Sequence, residues 1–160
     1  MEVPEPLEPI DRRVIAWMAR HGVTLTRISL GIVFTWFGVL KFFPGTSPAE
    51  SLATDTIERL TGGAISRSLA IHGLAVWEVL IGLGLLSGRF LRVTLGLLFL
   101  QMPGTMLPLI FFPDRTFTTF PLVPTLEGQY IIKNLVLVSA ALVVGAGVGR
   151  KLGGKEAKRH

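Results

Sequence analysis

The stretch Leu69 to Leu86 reads LAIHGLAVWEVLIGLGLL, an apolar run with a carboxylate, Glu78, in its middle. About 20 residues cross the hydrocarbon core of a bilayer at a rise of about 1.5 Å each, so this run is a candidate membrane span. A carboxylate at that depth costs several kcal/mol unless it finds a partner or takes up a proton. The chain is therefore constrained twice: it must house long apolar helices, and it must find company for Glu78.

Three further runs match the first, and the composition agrees with them. Of 160 residues, 49% are hydrophobic and 17% charged; mean hydropathy is +0.56. Soluble domains carry about 25% charged residues. The reading is all-α: an integral-membrane four-helix bundle in one domain (24–149), with spans at about 24–43, 69–86, 90–112 and 129–148. Pro44-Gly45 closes the first span, and Ser87-Gly88-Arg89 predicts a tight turn between the second and third. Pro103 and Pro108 predict a kink in the third.

Residues 1–23 read as a tail and an interfacial helix. The opening MEVPEPLEP is acidic and Pro-rich, unlike a cleavable signal, and reads as disordered. Ile10, Val14, Trp17 and Met18 then make a helical apolar stripe, with Trp17, Arg12 and Arg13 as interfacial anchors. Ser47-Pro48-Ala49-Glu50 has the form of a capping box. It predicts a short external amphipathic helix from Pro48 to about Leu60, with Leu52, Ala53, Ile57 and Leu60 on its apolar face. Residues 150–160 form a basic tail.

The basic residues set an orientation. Eleven Lys and Arg flank one set of span ends, whereas the opposite loops hold only Arg59, Arg67 and Arg115. The positive-inside rule then places both termini in the cytoplasm. The net charge of +5 reads as this bias, because the basic residues are scattered around the spans, and nucleic acid is not an expected partner. The chain has no cysteine, which excludes thiol chemistry and cysteine-ligated metal centres carried by it. Motifs for nucleotide loops, hydrolase elbows and metalloprotease helices are missing, so no catalytic residue and no metal site is expected.

Polar groups gather at one depth. Lys41, His72, Glu78, Gln101, Lys133 and Asn134 all fall in the outer half of their spans and form a candidate polar layer inside the bundle. Glu78 is open to two readings, a structural partner in a buried ion pair or a group that binds a ligand or moves a proton. Lys41 either joins it or reaches to the outer headgroups. Lys133 is expected to pair with Glu78 or Glu127. His72 lacks a second histidine or cysteine nearby, so metal ligation is not expected. Arg27, Gly31, Phe34, Gly38 and Lys41 recur at spacings of 4, 3, 4 and 3, one stripe on one helix. Gly31, Gly38, Gly82, Gly145 and Gly149 are the expected close-packing positions.

Taken in order, RISLGIVFTWFGVLKFFPG, WEVLIGLGLLSG and LEGQYIIKNLVLVSAALVV resemble the DoxX-like family of small bacterial membrane proteins, its YkgB-type branch above all. The resemblance covers about 24–149 and rests on Arg27, Gly31, Gly38, Lys41-Phe42, Glu78, Gly82, Glu127-Gly128 and Lys133. Where many members carry Asp after the last lysine, this chain has Asn134, which removes a potential proton carrier. The resemblance implies a four-helix bundle in the bacterial inner membrane and association with redox complexes. Three functional expectations follow: a non-catalytic subunit of a larger membrane complex; a component that binds a quinone, a lipid or another small molecule at the polar layer; and, third, a small transporter.

Overall fold

The computed structural model describes residues 8–43, 45–47 and 50–156, with side-chain surroundings in the last helix up to Val148. Among the described residues, four helical segments are long and apolar enough to cross a membrane. The first is α1 (Glu8–Leu40), followed by the short α2 (Glu50–Thr61) and the second long helix α3 (Arg67–Ser87). The third segment divides into α4 (Leu91–Met106) and α5 (Pro108–Phe111). After α6 (Pro113–Thr116) and a small hairpin, the fourth divides into α7 (Leu126–Ile132) and α8 (Asn134–Glu156). The long helices close a ring in which α1 packs on α3 and α8, and α4 packs on the same two. Leu30, Phe34, Ile81, Leu85, Leu98 and Val144 fill the centre of that ring.

The contact between α1 and α3 is the most extensive, and glycines explain it. A Cβ at Gly82 would stand 2.5 Å from the backbone nitrogen of Thr35, and one at Gly38 would stand 2.9 Å from that of Val79. Gly31 meets Leu86 in the same way. The absence of side chains here brings the two backbones together. Arg27 completes the seam: its guanidinium donates to the carbonyls of Leu85 and Leu86 (3.0 Å to Leu86). Those carbonyls have no partner within the last turn of α3, so the arginine satisfies them. Gly88 then ends the helix with φ 68°.

Several sequence expectations are corrected. There is no separate interfacial helix: Ile10 to His21 is continuous with the first span in α1. Gly22 alone costs only about 1 kcal/mol in a helix, and no proline interrupts the stretch. Thr26 also donates back to the Gly22 carbonyl at 2.8 Å, inside the helical ladder. Trp17, Arg12 and Arg13 are exposed on this extension; Trp17 stacks near His21 (5.2 Å) and Arg12 pairs with Glu8 (3.3 Å). Glu8 and Pro9, expected in a disordered tail, are helical.

The fold is also not wholly α. Phe117–Thr119 and Val123–Pro124 pair as an antiparallel hairpin, β1 and β2, within the Pro-rich loop. Gly145 is no site of close approach, since a Cβ there would meet only Leu95 at 3.5 Å. Pro48 and Ala49 lie outside the described residues, and so do the surroundings of Gly149. Glu50 departs from the capping-box geometry by accepting from the Gly45 backbone nitrogen at 3.1 Å.

Candidate functional site

Glu78 lies near the middle of α3 and is buried, with 9% of its surface exposed. Its partner is Lys41, whose ammonium sits 2.6 Å from Oε2. Gly38 accounts for this reach: its bare Cα lets α1 close on α3 at the level of Glu78, and Lys41 follows one turn later. Lys41 also donates to the Phe37 carbonyl at 3.4 Å. The other carboxylate oxygen, Oε1, accepts from Gln101 Nε2 of α4 at 2.9 Å. Three helices thus meet at one carboxylate. Because a carboxylate held by a lysine only accepts, the amide of Gln101 is fixed with its nitrogen inward. Its Oε1 is buried and has no hydrogen-bond partner among the described residues.

The polar layer of the sequence is only partly assembled. Asn134, at the start of α8, donates to Thr105 Oγ1 at 3.2 Å, a separate link between α4 and α8. Lys133 does not pair with Glu78 or Glu127: its ammonium lies over the Tyr130 ring, 5.5 Å from the centroid. Glu127 approaches Arg115 instead, at 3.9 Å. His72 is outside the layer altogether. It is exposed, its Nδ1 is 2.7 Å from the Ser68 carbonyl, and its ring packs edge-on near Phe42. Six residues separate His72 from Glu78, a rotation of about 240° on a helix, so the two point to different sides.

A cavity of about 760 Å³ lies between the helices, and of these groups His72, Arg115 and Glu127 do not line it. Its wall is mostly apolar, with Phe34, Phe37, Leu74 and Trp77 among its members, and Lys41, Glu78, Gln101, Thr105, Lys133 and Asn134 as its polar points. The short helix α2 covers part of it with Leu52, Ala53, Thr56, Ile57 and Leu60. Thr105 and Trp77 are site residues that sequence reasoning did not single out. Thr105 was findable, since it follows Gln101 by four and shares its face.

A cluster of ion pairs holds α2 in place. Asp55 stands 2.5 Å from both Arg67 and Arg115, Arg67 reaches Glu58 at 3.0 Å, and Arg115 donates to Ser51 at 2.8 Å. Arg59 donates to the Phe111 carbonyl at 3.0 Å and covers that ring. Glycines flank the helix, with Gly45, Gly62 and Gly63 all at positive φ. Among the described residues no group of three His, Cys, Asp or Glu is placed to hold a metal ion.

No protein-family model, curated protein or solved structure matches this chain.

Proposed function

We propose that this chain is a multi-pass protein of the bacterial inner membrane, DoxX-like in kind, that binds a lipophilic small molecule between its helices. The observation that carries the reading is the cavity: about 760 Å³, mostly apolar, with a few polar groups on one side. Ligand pockets run to about 300–1,000 Å³ and combine apolar walls with a small number of oriented polar groups. The chemistry of the wall suits a molecule with a polar end and an apolar body. Lys133 and Asn134 offer donors, and the aromatic and aliphatic residues would hold the body. A quinone fits that donor set through its carbonyl oxygens. Lys133 and Asn134 are the residues that would hold it; a bound quinone would supply two-electron redox chemistry to a partner, and this chain would contribute position and exclusion of water.

The test uses Trp77, one of three tryptophans. With Trp17→Phe and Trp36→Phe, Trp77 reports from the cavity wall. A dibrominated stearyl methyl ester added to nanodiscs is expected to quench it. Gly73 supplies the control, because it lines the cavity and a Cβ there meets nothing within 4 Å. Gly73→Phe should grow into the cavity and relieve the quenching, with Gly73→Leu as the milder version. Equal quenching in parent and filled variants, all normally folded, would mean that bromine reaches Trp77 from bulk lipid and the cavity binds nothing.

Membership of a larger membrane complex is a second reading. It is favoured by the N-terminal part of α1, which exposes Ile10, Val14, Ile15, Trp17 and Met18. At 33 residues α1 is about 50 Å long against a core of about 30 Å, so this apolar stretch runs beyond the span. Purification from native membranes is expected to bring down a stoichiometric partner, lost when residues 1–20 are removed; isolation of the chain alone would count against it.

A further inference from the structure

The charges on the cavity wall do not cancel. Among the described residues three charged side chains line it, Lys41, Glu78 and Lys133. Lys41 and Glu78 neutralise each other at 2.6 Å. The carboxylate closest in sequence to Lys133, Glu127, is engaged by Arg115 at 3.9 Å. Of the other described carboxylates at this end, Asp55 and Glu58 are held by Arg67 and Arg115, Glu50 accepts from the Gly45 backbone nitrogen, and neither Glu50 nor the exposed Asp114 lines the cavity. Among the described residues Lys133 therefore has no anionic partner within ion-pair distance; its ammonium lies over the face of Tyr130. It stands between α7 and α8, where its backbone nitrogen still donates to the Gln129 carbonyl at 3.0 Å, so the backbone that carries it is fixed. The wall is left with one net positive charge on a flexible stem, beside an apolar chamber.

We propose that the ligand is a single-chain amphiphile with an anionic head, of the long-chain carboxylate class, its chain in the cavity and its head on the Lys133 ammonium. The proposal rests on reading the cavity as a lipophile site and narrows it. The chamber has the volume of a pocket for one small molecule, which suits one acyl chain. A neutral head leaves the lysine unpaired. A carboxylate gives it a charge-assisted hydrogen bond, worth about ten- to a hundredfold in affinity. Tyr130 supports the arrangement by holding the ammonium at the edge of the chamber through its ring face.

The experiment compares dibrominated stearic acid with its methyl ester in phosphatidylcholine nanodiscs, at alkaline pH where the acid is ionised. Quenching of Trp77 is read in the background that lacks Trp17 and Trp36, at matched mole fractions of probe. The acid is expected to half-quench at a concentration at least tenfold below the ester. Lys133→Met should close that gap and Lys133→Arg should keep it; Lys133 is exposed, so both variants are expected to fold. Equal potency of acid and ester overturns the anionic head while leaving the lipophile site standing. A gap that survives Lys133→Met overturns the assignment to this lysine. Quenching by neither probe beyond that in Gly73→Phe overturns the site itself, and this proposal with it.

Discussion

Lys41 and Glu78 hold each other under nearly complete burial, with side-chain exposures of 11% and 12%. Removing one partner from such a pair leaves a charge with nothing to offset its desolvation, at a cost of about 3–5 kcal/mol. Removing both leaves packing in place and costs far less. Lys41→Met is therefore expected to lower the thermal unfolding temperature sharply, and Lys41→Met with Glu78→Gln to recover much of the loss. A double mutant no more stable than the single would show that the pair is not the interaction at stake. The pairing was half legible in the sequence. Periodicity put Arg27, Gly31, Phe34, Gly38 and Lys41 on one stripe, and that stripe faces α3. Depth along a helix follows from residue number, and it made Lys133 and His72 look like equal members of the layer. Direction around the axis decides contact, and it turns His72 away from Glu78. For Lys133 the break between α7 and α8 intervenes, and no residue type in QYIIKN announces it.

Among the elements, α1 and α3 pack closely because glycines face backbone, whereas the glycines of α8 meet side chains. The distinction is measurable. Gly82→Ala would place a methyl group 2.5 Å from the Thr35 nitrogen, and backbone cannot give way as a side chain can. It is expected to destabilise by about 1–3 kcal/mol, the usual range for overpacking. Gly145→Ala meets only Leu95 at 3.5 Å and should be neutral, or stabilising by up to about 1 kcal/mol through helix propensity. Thermal unfolding in one detergent separates the two; equal effects would remove close backbone packing as the reason for Gly82. From the sequence both glycines look alike, since small-residue spacing does not reveal whether the opposing atom is backbone or side chain. The short helix α2 shows the reverse. Its span and apolar face were readable from SPAESLATDTIERLTGG, but its role as a wall of the cavity depends on Asp55, Arg67 and Arg115 meeting across sixty residues of chain. The hairpin was hidden in a loop whose prolines and aromatics signal only irregular structure.

At the scale of the whole molecule, the ring of four long helices puts α2 and the hairpin at one end of the bundle and the start of α1, the 87–89 turn and the end of α8 at the other. The lysine and arginine bias gives that asymmetry a direction, with eleven basic residues on the side of the termini and the 87–89 turn. We infer that this side is cytoplasmic. The cavity, the α2 helix and its ion pairs then belong to the opposite, outer half, and a ligand reaches the site from the outer leaflet. The chain contains no cysteine, so single cysteines report position without any background. Ser87→Cys, exposed at the end of α3, should resist a membrane-impermeant maleimide in intact spheroplasts and react after permeabilisation. Ser51→Cys and Thr118→Cys, exposed on α2 and the hairpin, should react in intact spheroplasts. The reversed pattern would invert the topology and move the cavity to the inner leaflet, where its occupant would be drawn from the cytoplasmic side. Labelling of all three sites before permeabilisation would be incompatible with a ring of spanning helices.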